Sequence, residues 1–330
     1  MVLCDDPRIR AGSPCLVRIK KIHKPQRDDR GFIEVEFLQQ HDFKIEGVYI
    51  DPRVSVKLQA LLDSGLNILL DGPQGCGKTV LARSLAQSLG MEFILFNCGA
   101  VVEPSDFLAT IMIRASATGQ PVMDFVKTPI LLALEEAAQH SQRRYLVFLD
   151  EFNRCQENAR NALMPALDAT RRVYNPIENN FLAIPDNVQF VAAVNRGGEF
   201  SGVFGIDPAQ LDRFAPLQMD YLPTDEEVKL LSPRHPELNP KIIHLVVHIA
   251  DALRRSPELS IGLSVRATDE ACTYLKYPLI AKQQKTMLPE VLKSSFCGRY
   301  SGRWNEINSD AGVAWAIVQR ILREKKLLED

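Results

Sequence analysis

One eight-residue segment, Gly72–Thr79, constrains the fold of this chain more than any other part of it. It reads Gly-Pro-Gln-Gly-Cys-Gly-Lys-Thr and matches the phosphate-loop pattern G-x-x-x-x-G-K-[ST] at every fixed position. An apolar run at 67–71 predicts a buried strand before it, and leucines recurring every fourth residue from Leu81 predict a helix at 80–89 after it. This order lets backbone N–H groups close around phosphate oxygens at a helix N-terminus. The alternative is a chance glycine-rich turn before a helix.

The segment predicts a nucleotide site, with ATP as the ligand and Mg²⁺ as its metal ion. The side chain of Lys78 would reach the β- and γ-phosphates, and the hydroxyl of Thr79 would contact Mg²⁺. Cys76 occupies a variable position of the pattern, and we assign it no chemistry. The residues expected to contact the nucleotide here are Gly72, Pro73, Gln74, Gly75, Cys76, Gly77, Lys78, Thr79 and Val80.

Composition narrows the classes of protein to consider. Of the 330 residues, 46% are apolar and 24% are charged, which is typical of a globular protein. The net charge of −2 provides no global basic field for nucleic acid. No run approaches the ~20 apolar residues of a membrane span, and the N-terminus lacks the pattern of a secretory signal. The seven cysteines form no C-x-x-C pair, which favours reduced thiols and a cytoplasmic location.

Strands alternate with helices over residues 47–222, which predicts a doubly wound α/β fold with a parallel sheet. After the strand at 67–71, buried strands are predicted at 92–97, 145–149 and 188–194, and a fifth at 217–219. The helices predicted in this domain cover 54–64, 80–89, 130–140 and 158–169.

The regions on either side of this domain have different patterns. Residues 1–46 contain two alternating runs, 16–22 and 32–38, which predict a β-hairpin buried on one face. Residues 223–330 predict a small helical lid domain without strands. Its helices are expected at 239–255, 264–277, 288–296 and 310–326, and the segment 224–227 reads as a capping box.

Two segments interrupt the alternation of strands and helices in the central domain. A helix is expected to begin near Pro104, but the mixed stretch 110–128 breaks it. Residues 172–184 predict an inserted hairpin.

Polar side chains stand at the ends of two predicted parallel strands, where they would lie beside the phosphate loop. Asp150 could hold Mg²⁺, and Glu151 could orient and polarise the attacking water. The alternative for this pair is an ordinary acidic strand end. Asn195 could donate a hydrogen bond to the γ-phosphate or the lytic water, or it could simply form a turn with the Arg-Gly-Gly that follows it.

Four stretches together resemble the MoxR group of AAA+ ATPases. The phosphate loop matches the Walker A segment, and Leu-Asp-Glu-Phe-Asn-Arg at 149–154 resembles the group's Walker B segment, Asp-Glu-Ile-Asn-Arg. Residues 161–167 resemble the helix that follows Walker B. Residues 207–214 resemble the group's Pro-Glu-Ala-Gln-Leu-Asp-Arg-Phe, and Asn195 precedes them at the distance of its sensor-1 residue.

The resemblance covers residues 47–280, and 110–128 falls where this group carries its helix-2 insert. Phe152 replaces the usual Ile, Asp207 replaces a Leu, and Ala209 follows Pro208 without the Glu. None of these departures removes a catalytic group. Residues 1–46 match no family pattern.

The resemblance implies further site residues. Arg213 would be an arginine finger that reaches the nucleotide of the neighbouring subunit, and Arg266 would be a sensor-2 residue that contacts the γ-phosphate in its own subunit. The alternatives are a surface salt bridge between Arg213 and Asp212, and a solvated helix-terminal position for Arg266. Arg154 and Arg196 are weaker candidates for such contacts.

A finger acting in trans implies a ring of six subunits with a nucleotide at each interface. In such a ring, 110–128 and 172–184 would face the pore or a partner. The resemblance implies a chaperone-like ATPase that remodels or matures another protein, often with a von Willebrand factor A-domain partner. The rival interpretations are a nucleic-acid motor, as in an anti-phage complex, and a slowly hydrolysing nucleotide-gated scaffold. A motor needs a basic stripe, and none stands out beyond residues 18–30; no membrane partner is expected.

Overall fold

The computed structural model describes residues 17–23, 32–37, 45, 47–115, 119–195 and 204–328. Its strands are β1 Val17–His23, β2 Phe32–Phe37, β3 Ile68–Gly72, β4 Met91–Asn97, β5 Ala109–Ala115, β6 Pro121–Lys127, β7 Arg144–Asp150, β8 Arg172–Asn175, β9 Asn180–Ala183, β10 Val188–Asn195 and β11 Ala215–Gln218. Its helices are α1 Pro52–Asp63, α2 Lys78–Ser88, α3 Pro129–Gln139, α4 Glu157–Leu167, α5 Pro208–Leu211, α6 Thr224–Leu231, α7 Pro240–Arg255, α8 Val265–Leu275, α9 Pro278–Ala281, α10 Gln284–Ser295 and α11 Asp310–Glu324.

The centre of the fold is a five-stranded parallel sheet in the order β11-β3-β10-β7-β4. Consecutive residues of its inner strands point to opposite faces, so Leu70 and Phe148 pack with α1 and α2, whereas Leu69 and Val147 pack with α3 and α4. Both faces are therefore covered by helices, as expected for apolar parallel strands. The predicted doubly wound α/β fold is confirmed.

One strand differs from its prediction. The strand at 92–97 exists as β4, but it lies at the edge of the sheet, with β7 as its paired strand. Leu95 is 43% exposed there. An apolar run could not show whether the strand was central or peripheral, because both environments accept aliphatic residues on the covered face.

The C-terminal region is helical, and its described residues form no strand. Helices α6, α7, α8, α10 and α11 share a hydrophobic cluster separate from the two that cover the sheet. We call residues 223–328 the lid. The exact boundaries of the three domains stay predictions.

The segment that follows β4 does not form the expected helix. Residues Pro104–Phe107 make a single 3₁₀ turn, after which the chain enters β5. Thr128 fixes this exit, because its hydroxyl donates to the carbonyl of Phe107 at 2.7 Å and its backbone N–H donates to Leu108. The stretch at 110–128 is an antiparallel hairpin, β5–β6, and the hairpin predicted at 172–184 is present as β8–β9.

The capping box predicted at 224–227 is wrong. Pro223, not Thr224, precedes the first turn of α6. Glu227 is fully buried and forms an ion pair with Arg254, so it does not reach back to the helix N-terminus.

At the N-terminal end, β1 and β2 pair as an antiparallel hairpin, as predicted. The expected burial of one face of this hairpin lies outside the described residues. In the part of the chain that the structure describes, no helix has the length and hydropathy needed to cross a bilayer.

Candidate nucleotide site

The phosphate loop joins the end of β3 to the start of α2 and depends on glycine at several positions. Gly75 and Gly77 have φ angles of +76° and +97°, which residues with a side chain rarely adopt. Gly75 also lies against the lid, because a Cβ placed on it would stand 2.2 Å from the Cβ of Ser264. A Cβ on Gly72 would stand 2.6 Å from the carbonyl oxygen of Met219. The loop is thus shaped both for phosphate and for close contact with the next elements.

The amine of Lys78 points back into the loop. Its Nζ donates to the carbonyl oxygens of Gly72 and Pro73, at 2.8 Å in each case. Burial lowers the pKa of Lys78, and the nearby Cys76, Asp150 and Asp71 oppose that shift. A phosphate bound in the loop would compete with these two neutral carbonyls for the ammonium group of Lys78, which burial leaves poorly solvated.

Thr79 and Asp150 bring two oxygen ligands together from different elements. The hydroxyl of Thr79, in the first turn of α2, donates to Oδ2 of Asp150, at the end of β7, over 3.1 Å. Oxygen atoms from a hydroxyl and a carboxylate suit Mg²⁺, which keeps most of its ligands from water and phosphate. No cluster of three or more His, Cys, Asp or Glu side chains that could hold a metal occurs among the described residues. The pair fits an ion that is shared with a nucleotide.

Glu151 directly follows this pair and has an unusual backbone. Its φ of 53° places it in the left-handed region, which is uncommon for a residue with a side chain and persists where neighbours hold it. Its backbone N–H donates to Asp150 Oδ1 at 3.0 Å. Its carboxylate forms an ion pair with Arg154, with Oε2 3.3 Å from a guanidinium nitrogen, and lies close to Gly99. The carboxylate is therefore held beside the phosphate loop by a cation.

Asn195 ends β10 in the register position beside Gly72 and is buried. The amide of Asn153 donates to the carbonyl oxygen of Asn195 at 2.9 Å, which fixes the end of the strand. The turn proposed as its alternative would continue through residues 196–198, which lie outside the described residues.

The phosphate loop, the ends of β7 and β10, and the start of α8 surround a cavity of about 630 Å³. Most of the predicted site residues line it, namely Gln74, Gly75, Cys76, Gly77, Lys78, Thr79, Val80, Asp150, Glu151, Asn195 and Arg266. Gly72 and Pro73 line a second cavity of about 610 Å³, which shares Cys76 and Met219 with the first. These predicted residues thus lie together around one cavity, and their contact with a nucleotide stays a prediction.

The opposite end of the cavity was not predicted. It is lined by residues from three separate segments of the chain, namely Gly47, Val48 and Tyr49, then Leu222, Glu226, Lys229, Leu230 and Arg234, and finally Asp269. Arg234 and Asp269 form an ion pair at 3.2 Å, and Asp269 also contacts the buried His235 at 2.7 Å. An apolar segment before α1 and one face of α6 were the available signals, but neither has a fixed pattern.

Arg213 is not among the residues that line this cavity. Its guanidinium donates to the carbonyl oxygen of Ala209 and lies 3.9 Å from a carboxylate oxygen of Asp168. The salt bridge considered for Arg213 in the sequence is therefore made with Asp168 and not with Asp212.

Comparisons with known proteins agree with this arrangement. The AAA domain (dynein-related subfamily) matches residues 67–214. An uncharacterised protein of Staphylococcus aureus strain USA300 is 29% identical over 175 residues, 53% of this chain and 63% of that protein. The chain thus covers slightly less than two thirds of that relative. BssE of Thauera aromatica, named as a candidate chaperone, is 30% identical over 207 residues, 62% of this chain and 67% of BssE.

Among solved structures, two mutants of Thermotoga maritima RuvB align with 87% of this chain and with 75% and 76% of theirs. Both are 16% identical to it, with TM-scores of 0.46 and 0.47. The AAA domain match, by contrast, contains the phosphate loop and the strand ends at Asp150 and Asn195. Together with the identity to BssE over two thirds of its length, this match shows that the chain belongs to the AAA+ family of ATPases.

Proposed function

We propose that this chain binds ATP with Mg²⁺ and hydrolyses it. The observation that carries the proposal is the contact between the Thr79 hydroxyl and the Asp150 carboxylate, 3.1 Å apart in the cavity that also contains Lys78 and Glu151. These are the groups that phosphoryl transfer to water requires, in one place and on different elements.

Each group has a distinct task in this proposal. Lys78 would exchange its loop carbonyls for β- and γ-phosphate oxygens, and Thr79 and Asp150 would hold Mg²⁺, which neutralises charge on the phosphates. Glu151 would accept the proton of the attacking water, and Asn195 would orient that water or the γ-phosphate. To do so, the Glu151 carboxylate has to turn from Arg154 towards the cavity.

A Glu151→Gln variant tests the hydrolytic step. The amide keeps the size of the side chain but cannot accept the proton, so we expect turnover to fall by about 10²–10⁴-fold while ATP still binds. Phosphate release and equilibrium binding of ATP measure the two effects. Glu157→Gln, the same change on the exposed first turn of α4, is the control and should hydrolyse normally. Wild-type turnover by Glu151→Gln would remove Glu151 from the mechanism.

A Lys78→Ala variant tests the binding step. It removes a charged hydrogen-bond donor from the phosphates, and we expect ATP affinity to fall by at least about tenfold. Titration with a fluorescent ATP derivative measures this directly. Lys57, which also donates to a backbone carbonyl but lies outside the cavity, provides the matched alanine control. Equal affinity of Lys78→Ala and wild type would contradict the phosphate contact.

We further infer that the chain works as a MoxR-like ring of six subunits that remodels a partner protein. Two features support this inference. Arg213 lies outside its own nucleotide cavity, which fits a finger acting in trans. The relative BssE is named as a candidate chaperone. Light scattering of Glu151→Gln with ATP and Mg²⁺ tests assembly, since a persistent monomer would leave Arg213 without a nucleotide to reach.

The hairpin β5–β6 favours a protein partner over a nucleic acid. Cross-strand neighbours Ile111 and Phe125, and Ile113 and Met123, share one face and are 51% to 75% exposed. The opposite face carries an ion pair between Arg114 and Asp124, at 3.8 Å. Large exposed apolar side chains suit contact with polypeptide, whereas a phosphate backbone calls for cations.

The kind of partner that stimulates hydrolysis distinguishes a protein-remodelling ATPase from a nucleic-acid motor. If the chain remodels a protein, a co-encoded client, such as a von Willebrand factor A-domain protein, should stimulate hydrolysis. Stimulation by DNA or RNA with no response to protein would favour the nucleic-acid motor instead.

A further inference from the structure

A tyrosine just before the lid contacts the phosphate loop, and the proposed chemistry does not use it. Tyr221 lies in the short connection between β11 and α6, and its hydroxyl donates to the carbonyl oxygen of Gln74 over 3.2 Å. Its ring fills the space beside Gly262, where an added Cβ would stand 2.6 Å from the tyrosine oxygen. Burial raises the pKa of Tyr221 to about 12, so its hydroxyl keeps its proton as a donor at neutral pH.

The ring of Tyr221 is held in turn by a buried ion pair. The guanidinium of Arg254, near the C-terminal end of α7, lies 4.8 Å from the ring centroid, in the range of a cation–π contact. Arg254 forms two hydrogen bonds with the carboxylate of Glu227, one of them 3.1 Å long. The side chains of Arg254 and Glu227 are 3% and 0% exposed, so solvent does not screen this pair.

The same ion pair also fixes the start of α8. Nε of Arg254 donates to the carbonyl oxygen of Leu263 at 2.7 Å, and the hydroxyl of Thr268 donates to Glu227 at 2.6 Å. Arg266 lies between these two anchored positions, in the first turn of α8, and lines the nucleotide cavity. One charged pair therefore contacts both the residue that touches the phosphate loop and the turn that carries Arg266.

We propose that Tyr221 is a positioning residue that couples the phosphate loop, through Arg254 and Glu227, to the first turn of α8 and so to Arg266. The proposal rests on the proposed function, because it assumes that nucleotide enters the cavity and that Arg266 contacts it. Gln74 is part of the loop that closes on phosphate, so a movement of its carbonyl oxygen directly alters the hydrogen bond from the Tyr221 hydroxyl. The buried ion pair of Arg254 and Glu227, which contacts the Tyr221 ring, transmits that change to the start of α8.

A Tyr221→Phe variant isolates this link. It removes the hydroxyl and keeps the ring beneath Arg254, so the buried pair stays compensated and the lid should fold as before. Tyr300→Phe is the matched control, because Tyr300 is also buried and its hydroxyl has no hydrogen-bond partner in the described part of the chain.

Amide hydrogen exchange with the β,γ-imido analogue of ATP measures the coupling without hydrolysis. In the wild type and in Tyr300→Phe, we expect the analogue to slow exchange in both 74–80 and 262–268. In Tyr221→Phe, we expect the slowing in 74–80 to persist and that in 262–268 to shrink by about three- to tenfold, the effect of losing one hydrogen bond. Equal slowing of both segments in Tyr221→Phe and wild type would overturn the proposal.

Kinetics provide a second readout, the dependence of the kcat loss on Arg266, which a residue with only a structural role would not show. Tyr221→Phe should lower kcat by about three- to tenfold in the wild-type background and have little further effect in an Arg266→Ala background, because it acts through Arg266. Independent, additive losses would contradict the coupling.

If the analogue slows exchange nowhere in the wild type, the proposal that this chain binds nucleotide fails. If it protects both segments but the wild type releases no phosphate, only hydrolysis fails.

Discussion

An Arg213→Ala variant is expected to lose ATP hydrolysis by ~10³–10⁵-fold, the effect of an arginine finger in other NTPases, while it still binds ATP. The guanidinium would stabilise charge that develops on the γ-phosphate of a neighbouring subunit. In its own subunit, Arg213 is outside the cavity and held by Ala209 and Asp168, so its removal leaves the local phosphate contacts unchanged. Steady-state phosphate release and equilibrium ATP binding measure the two quantities.

Mixing two inactive variants tests whether Arg213 acts between subunits. In a ring formed from equal amounts of Arg213→Ala and Glu151→Gln, about one interface in four joins an intact Glu151 to an intact Arg213, so hydrolysis should return to roughly that fraction. Each variant alone should stay inactive. Arg255→Ala, which removes a 76% exposed arginine from a surface pair with Asp251, is the control and should keep full activity. No recovery in the mixture would place the action of Arg213 within its own subunit or in folding.

The part of the cavity that contains Thr79, Asp150 and Asn195 could be predicted, because local sequence determines where these residues lie. A buried strand that ends in Asp150 must deliver that carboxylate to the carboxyl edge of the sheet, and β3 delivers the phosphate loop to the same edge. The 3.1 Å contact between Thr79 and Asp150 follows from these two strand ends. Asn195 was predicted to reach the site for the same reason.

The lid end of the cavity could not be predicted in this way. The approach of Ser264 to Gly75, and the bond from Tyr221 to Gln74, join segments about 150 to 190 residues apart that have no common pattern. Pairing by charge was equally unreliable. Arg213 was considered with its neighbour Asp212, but its guanidinium lies near Asp168 instead.

Glu227 shows most clearly why a local pattern can mislead. Its spacing from Thr224 matches a capping box, which stabilises a helix by about 1 kcal/mol. In the fold, the same carboxylate compensates the buried guanidinium of Arg254, and a lost partner there costs several times more. The ion pair with Arg254 involves the larger energy and therefore determines where the Glu227 side chain lies. Nothing in residues 224–227 reveals this pairing.

An Arg254→Ala variant is accordingly expected to lower the free energy of unfolding of the lid by about 3–5 kcal/mol, because it leaves the Glu227 carboxylate buried without a cation. Urea unfolding of the full chain, followed by fluorescence of Trp304 and Trp315 in the lid, measures the loss. Arg255→Ala, one residue further along α7, is the matched control and should shift the transition by less than about 0.5 kcal/mol. A shift of similar size in both variants would mean that the pair contributes little to stability.

The double variant Arg254→Met with Glu227→Leu separates stability from coupling. Replacing both members of a buried ion pair by apolar residues of similar volume is often neutral or stabilising, so the lid should regain most of its stability. Thr268 can still donate to the carbonyl oxygen of Val265, at 2.7 Å, after Glu227 is lost. The contacts of Arg254 with Tyr221 and Leu263 are absent, however, so slowing of exchange in 262–268 by the ATP analogue should stay weak. If stability and slowing both recovered, packing alone would position α8 and the charges would be dispensable.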